Sequence, residues 1–168
     1  VEEGWYIYPI PVIQATENDL NKLSYGMYLK LKNFRGRNED ITAYFLLGYD
    51  PTFGLNYYNP NIIGKENIFI NSSMNYSNVS NKSPTAENLY GSNFRQKVIG
   101  VRFTTGKRFG LFNRLYLNSG YTYIETPFYI PGVNASDNRI DNLVELGIGL
   151  EHDTRDLVQF PKDGIYSN

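Results

Sequence analysis

The stretch Asp153-Thr154-Arg155-Asp156-Leu157-Val158-Gln159-Phe160-Pro161-Lys162-Asp163-Gly164 decides the fold class. It follows a segment in which Val144, Leu146, Ile148 and Leu150 alternate with Glu145, Gly147, Gly149 and Glu151, and it opens onto a short stub from Gly164 to Asn168. Alternation with period two is the signature of a strand whose two faces meet different surroundings. Asp153, Arg155 and Asp156 can form a local ion-pair and hydrogen-bond network, while Pro161 and Gly164 set the backbone angles of a reversal. The stretch reads as a fixed turn between two strands that cross a membrane. A metal site built from Glu151, His152, Asp153 and Asp156 is disfavoured, because alternation sends neighbouring side chains to opposite faces.

The same period recurs toward the N-terminus. Leu115, Leu117, Tyr121 and Tyr123 mark one strand, and Arg95 to Thr105 another, with Ile99, Val101 and Phe103 on the same side as Arg95 and Lys97. Those two cations belong near a water boundary, where long basic side chains can snorkel. Further strands are predicted over residues 67–77, over Thr52 to Tyr58 ended by Asn59-Pro60, over Ile41 to Tyr49 broken by Asp50-Pro51, and over Ser24 to Lys32. The chain starts with a short aromatic strand, Gly4 to Tyr8, which Pro9 and Pro11 are expected to stop because proline cannot donate to a ladder. Tight turns are expected at Asn33-Phe34-Arg35-Gly36-Arg37-Asn38 and from Gly106 to Phe112. Longer loops are expected near residues 9–23, 78–92 and 125–139.

Several of these strands run about nine to twelve residues, which is what a tilted strand needs to cross a bilayer. Long loops on one side and short turns on the other is the outer-membrane arrangement. The short Asp50-Pro51 connection and the long one from Asp153 to Asp163 depart from it. Tyrosine dominates the composition, with 15 copies beside 10 Phe, and its apolar ring with a wet hydroxyl suits strands passing from lipid to water. The mean hydropathy of −0.42 is compatible with a barrel, whose strands average polar and apolar faces. No run approaches the ~20 consecutive apolar residues of a membrane-crossing helix.

Balanced charge, 16 basic against 17 acidic residues, gives no electrostatic case for nucleic acid. Cysteine is absent, which excludes disulfides and thiolate metal sites. With a single histidine, His152, no Gly-x-Ser-x-Gly elbow and no phosphate-cradling loop, no enzyme and no cofactor are expected. Val1-Glu2-Glu3-Gly4 lacks the basic and apolar regions of a signal peptide, so an exported protein would be a mature form or an excised piece.

In order along the chain, the first strand Gly4-Trp5-Tyr6-Ile7-Tyr8-Pro9, the turn around Gly36, the pair Asn59-Pro60, and Asp153, Arg155 and Asp156 with Phe160, Pro161 and Gly164 resemble the BamA-type outer-membrane insertase superfamily. Its relatives include TamA and the two-partner-secretion transporters, and the high Asn and Tyr content looks most like the Bacteroidetes branch. The resemblance implies an all-β fold, an antiparallel transmembrane β-barrel. Residues 1–168 would form a partial barrel of about 8–9 meander strands, the first half of a sixteen-stranded one. The POTRA domains and the later barrel half are not in this sequence.

The resemblance also implies a mechanism without a chemical reaction, in which unfolded outer-membrane protein clients pair through their backbones with an exposed first strand. Carried over, that client-pairing edge is Gly4, Trp5, Tyr6, Ile7 and Tyr8. The implied surroundings are the bacterial outer membrane, its lipid bilayer, and accessory lipoproteins of an assembly complex. The same five residues also admit the plainer reading of an ordinary edge strand with interfacial aromatics. Two other readings stand beside the insertase: a two-partner-secretion type translocase, and a small soluble or eight-stranded barrel that closes on itself around an apolar ligand. The last of these would tuck Phe45, Leu47, Leu117 and Ile148 inside.

Overall fold

A computed structural model describes residues 6–81, 88, 94–131, 134–156 and 162–168. One antiparallel meander sheet contains β1 (Tyr6–Ala15), β2 (Leu23–Phe34), β3 (Glu39–Gly48), β4 (Thr52–Ile63), β5 (Ile68–Ser80), β6 (Arg95–Phe109), β7 (Asn113–Glu125), β8 (Ile140–Asp153) and β9 (Tyr166–Ser167). The spatial order is the chain order, so every strand pairs only with its sequence neighbours. Among the described residues β1 and β9 do not meet, and the sheet stays open. That rules out the closed eight-stranded barrel.

Register explains the alternation in the sequence. Leu150, Ile148 and Val144 of β8 stand opposite Leu115, Leu117 and Tyr121 of β7; Tyr121 stands opposite Val101 of β6, and Val101 opposite Met74 of β5. The same row continues through Leu55, Ala43 and Leu29 to Pro9 of β1. One face is thus apolar from edge to edge. The other carries Lys30, Thr42, Asn56, Ser73, Arg102, Asn118 and Glu145, because side chains of adjacent residues point to opposite faces.

The apolar side is the uncovered one. Leu146 is 82% exposed, Ile148 73%, Leu117 56% and Leu47 40%. Among the described residues only Phe69, Phe94 and Ile130 are buried apolar side chains. Phe94 and Ile130 pack together, with the Phe128 ring edge-on to Phe94 at 5.9 Å. A water-soluble sheet protein would place the Leu146 row in its core; here that row is the exterior.

Three sequence expectations need correction. Pro9 and Pro11 do not stop the first strand, which runs on to Ala15 with Pro9 opposite Leu29 and Pro11 opposite Met27. A proline is tolerated in an edge strand when its nitrogen faces away from the single neighbour. Asn59-Pro60 does not end the fourth strand either: β4 continues to Ile63, and the register shifts between Asn59 and Ile63. This irregularity accommodates the missing proline N–H, and the Asn59 side-chain oxygen accepts the Asn61 N–H at 2.9 Å. Finally, β6 passes through Gly106 to Phe109, so the turn is shorter than residues 106–112.

The connections alternate in character. At one end lie residues 35–38, 64–67, 110–112 and 154–165; at the other lie 16–22, 49–51, 81–94 and 126–139. The Gly36 turn shows how the first set is built. Asn33, Arg35, Gly36 and Asn38 all have positive φ, Gly36 N–H donates to the Asn33 carbonyl at 2.9 Å, and Asn38 N–H to the Asn33 side chain at 2.7 Å. Left-handed Arg35 costs about 1–2 kcal/mol. Its guanidinium is held by the buried Glu39 carboxylate through Nε and Nη2, each at 2.9 Å.

Candidate functional site

The candidate site is the unshared edge of β1. Tyr6, Ile7 and Tyr8 stand opposite Lys32, Leu31 and Lys30 of β2. Ile7 therefore lies in the apolar row, while Tyr6 and Tyr8 share the polar face with the two lysines. Lys30 reaches toward Asp40 of β3 at 3.9 Å. All three β1 side chains are about half exposed, Tyr6 at 57%. Gly4 and Trp5, the other two members of the expected pairing edge, lie outside the described residues.

Backbone direction at this edge follows from the register. In an antiparallel ladder the N–H and C=O of one residue point to the same side, and residues two apart point alike. Pairing with β2 through both prolines places the Pro9 and Pro11 nitrogens on the free side. Ile7 and Ile13 share that parity, so their amides face outward as well.

The residues expected at the structural turns fall at two separate places. Gly36, Glu39 and Asn59 meet at one end of β2–β4, where Asn59 Nδ2 donates to Glu39 Oε1 at 3.1 Å and to the Tyr57 hydroxyl at 3.2 Å. Glu39 carries no signal in the sequence beyond following the glycine turn, yet it is fully buried and organises the cluster.

The second place is the connection from β8 to β9. Asp153 takes a two-pronged bond from Arg155 Nε and Nη2, each at 2.8 Å, and the Arg155 guanidinium lies 4.4 Å over the Tyr166 ring. Asp156 accepts the N–H groups of Lys162 at 3.0 Å and Asp163 at 3.3 Å. Gly164 has φ +105°, and a Cβ there would run into the Arg155 backbone. Phe160 and Pro161 lie outside the described residues. His152, considered above as a metal ligand, donates from Nδ1 to the Asn113 side-chain oxygen at 2.8 Å.

Sequence reasoning missed the hub at the opposite end. Asp50 was read only as a strand breaker, yet it is buried and accepts Thr16 Oγ1 at 2.8 Å and both the N–H and hydroxyl of Ser80 at 3.0 Å. Its own N–H donates to Ser24 Oγ at 2.9 Å, and Arg95 Nη2 stands 3.5 Å away. Burial pushes the Asp50 carboxyl up, but the donors from Ser80 and Thr16 and the charge of Arg95 outweigh it, and its pKa lies below the ordinary 3.8. One carboxylate thereby ties the β1–β2 loop to the ends of β5 and β6. Arg95 also bonds the Tyr49 carbonyl at 2.6 Å, and Lys97 pairs with Glu125 at 3.6 Å, so both cations sit at this rim.

The polar face is laced by ion pairs across strands: Arg102 with Glu145 and Arg114 with Glu151, both at 3.5 Å. Glycines open it. A Cβ on Gly54 would fall inside the Tyr44 ring, and one on Gly149 inside the Tyr116 ring, so each tyrosine lies across the glycine opposite it.

Comparison with known proteins adds three findings. The Omp85 superfamily domain matches residues 33–168. Among solved structures, BamA from Haemophilus ducreyi lacking POTRA domains 1–3 is similar at a TM-score of 0.56 and 18% identity, over 94% of this chain and 31% of that one. No curated protein matches.

Proposed function

This chain belongs to the Omp85 superfamily, a family of outer-membrane protein insertion and translocation, and from that premise we propose that it is part of an insertase that folds other barrels at the free edge of β1. The observation that carries the proposal is the pair Pro9 and Pro11, both on the side of β1 turned away from β2, which weakens pairing on that side of a sheet whose apolar face is uncovered from edge to edge. In lipid each unpaired backbone group costs several kcal/mol, so an edge at membrane depth favours any strand that satisfies it. An unfolded outer-membrane client supplies such a strand, and backbone bonds hold it without regard to sequence.

In this reading the face that carries the row from Pro9 to Val144 meets hydrocarbon in the bacterial outer membrane, and the Arg102–Glu145 face lines an aqueous interior. The ends rich in buried polar contacts stand at the water boundaries. In this reading the work is done by templating rather than by bond-making chemistry.

Ile7→Pro tests the role directly, because it deletes an outward amide of β1 while leaving the ladder to β2 intact. The expected outcome in the intact protein is a fall in client insertion of roughly tenfold, following loss of one hydrogen bond in a water-poor setting. It is measured as folded client recovered in lipid vesicles. Client yields equal to those of the unaltered protein would sink the templating role.

A further inference from the structure

The free edge of β1 is not a uniform template. Its outward residues are Ile7, Pro9, Pro11, Ile13 and Ala15, all of one parity in the register with β2. Each offers a carbonyl, but the two prolines offer no N–H. From Ile7 to Ile13, roughly 20 Å of edge, the strand presents acceptors and no donor between the two isoleucines. No comparable gap occurs in the described interior strands: β5, β6, β7 and β8 contain no proline, and β4 carries its one proline at the register shift.

We infer that Pro9 and Pro11 set how firmly a client strand is held, making the β1 edge a template that pairs fully at Ile7 and Ile13 and with only half the usual bonds between them, so that it lets go. The inference rests on the templating role proposed above and adds its regulation. A partner strand laid along β1 keeps its own N–H groups satisfied by the β1 carbonyls. Its carbonyls opposite Pro9 and Pro11 find nothing. Because two adjacent outward positions are affected, the deficit is local and central rather than spread along the edge. Held at its ends, the client remains in register; half-bonded at its middle, it detaches once its own strands offer full ladders.

Residues 1–168 contain no cysteine, so one introduced among them is their only thiol. Tyr8→Cys in the intact protein, reconstituted in lipid vesicles, is mixed with a client carrying one cysteine in its terminal strand and pulsed with a thiol oxidant at increasing delays, so that the interval over which the mixed disulfide still forms reads the lifetime of the paired state. Lifetimes are compared with and without Pro9→Val and Pro11→Val. Restoring two donors is expected to lengthen the paired state on the order of tenfold or more and to slow release of folded client. Ile13→Pro, which removes a remaining donor, is expected to shorten it. Equal lifetimes in all three forms, with trapping intact, would overturn the inference and leave the templating role standing. Absence of trapping in every form would overturn both. A disulfide formed only within the protein's own barrel would overturn a client as the occupant of this edge.

Discussion

β1 and the block β5–β8 are built from the same alternation, yet they differ in what a strand is allowed to contain. Among the described residues β1 has one neighbour, 10 residues and two prolines; β6 has two neighbours, 15 residues and none. An interior strand spends its N–H groups on both sides in turn, so proline anywhere within it breaks a ladder. An edge strand spends only every second one. The comparison shows that tolerance of proline here reports position in the sheet, and that two prolines at the same parity identify which side of the strand is open.

The sharpest way to break that comparison is to move proline inward. Val101→Pro in the middle of β6, between Met74 and Tyr121, is expected to cost about 3 kcal/mol or more, enough to abolish folding into vesicles. Ordinary recovery of folded protein would mean that β6 is not an interior strand. Next in size, Leu146→Arg on the uncovered face is expected to cost about 2–4 kcal/mol if that position faces the bilayer centre, with Thr122→Arg on the opposite face nearly neutral. Urea unfolding in vesicles separates the two, and equal costs would remove the distinction between the faces.

A smaller effect is expected at the Asp50 hub, which anchors the loop following β1 to the interior strands. Asp50→Asn should loosen that rim by about 1–3 kcal/mol, seen as faster amide exchange at Ser80. Because the folded pKa is lowered, the stability Asp50 supplies is complete above its ordinary 3.8 and is lost only as pH falls through the lower, folded value. Loosening that set in as pH rose instead would contradict the hydrogen-bond assignment. The least effect, within the scatter of the same urea measurement, is expected for Lys107→Ala, whose exposed pairing joins β6 to Glu66 in the β4–β5 connection.

Much of the sheet was legible because each strand's two faces differ sharply. Val144 to Leu150 could be assigned a face from four residues, and the register later gave them matching partners on β7. Legibility failed where the reasoning treated a residue type as a stop signal without knowing its neighbours. Pro9, Pro11 and Pro60 all lie within strands, since whether a missing N–H matters depends on what would have accepted it. Asp50 and Glu39 were hidden for a related reason: their partners lie in other strands, Ser80 30 residues away and Asn59 20 away, and no local spacing announces such a meeting. At the β1 edge, the aromatic residues drew the eye to residues 4–8, while the backbone pattern that sets its properties extends to Ile13.

The tyrosines lying across glycines carry a consequence for the shape of the wall. With no Cβ beneath it, a ring can lie flush instead of standing up, so the inner surface stays shallow at Gly54 and Gly149 while Leu55 and Leu150 stand proud outside. Each such pair works like a voussoir, wide on its outer edge and thin on its inner one. A course of such stones bows toward the thin side, and filling in a single glycine would flatten the arch at that point.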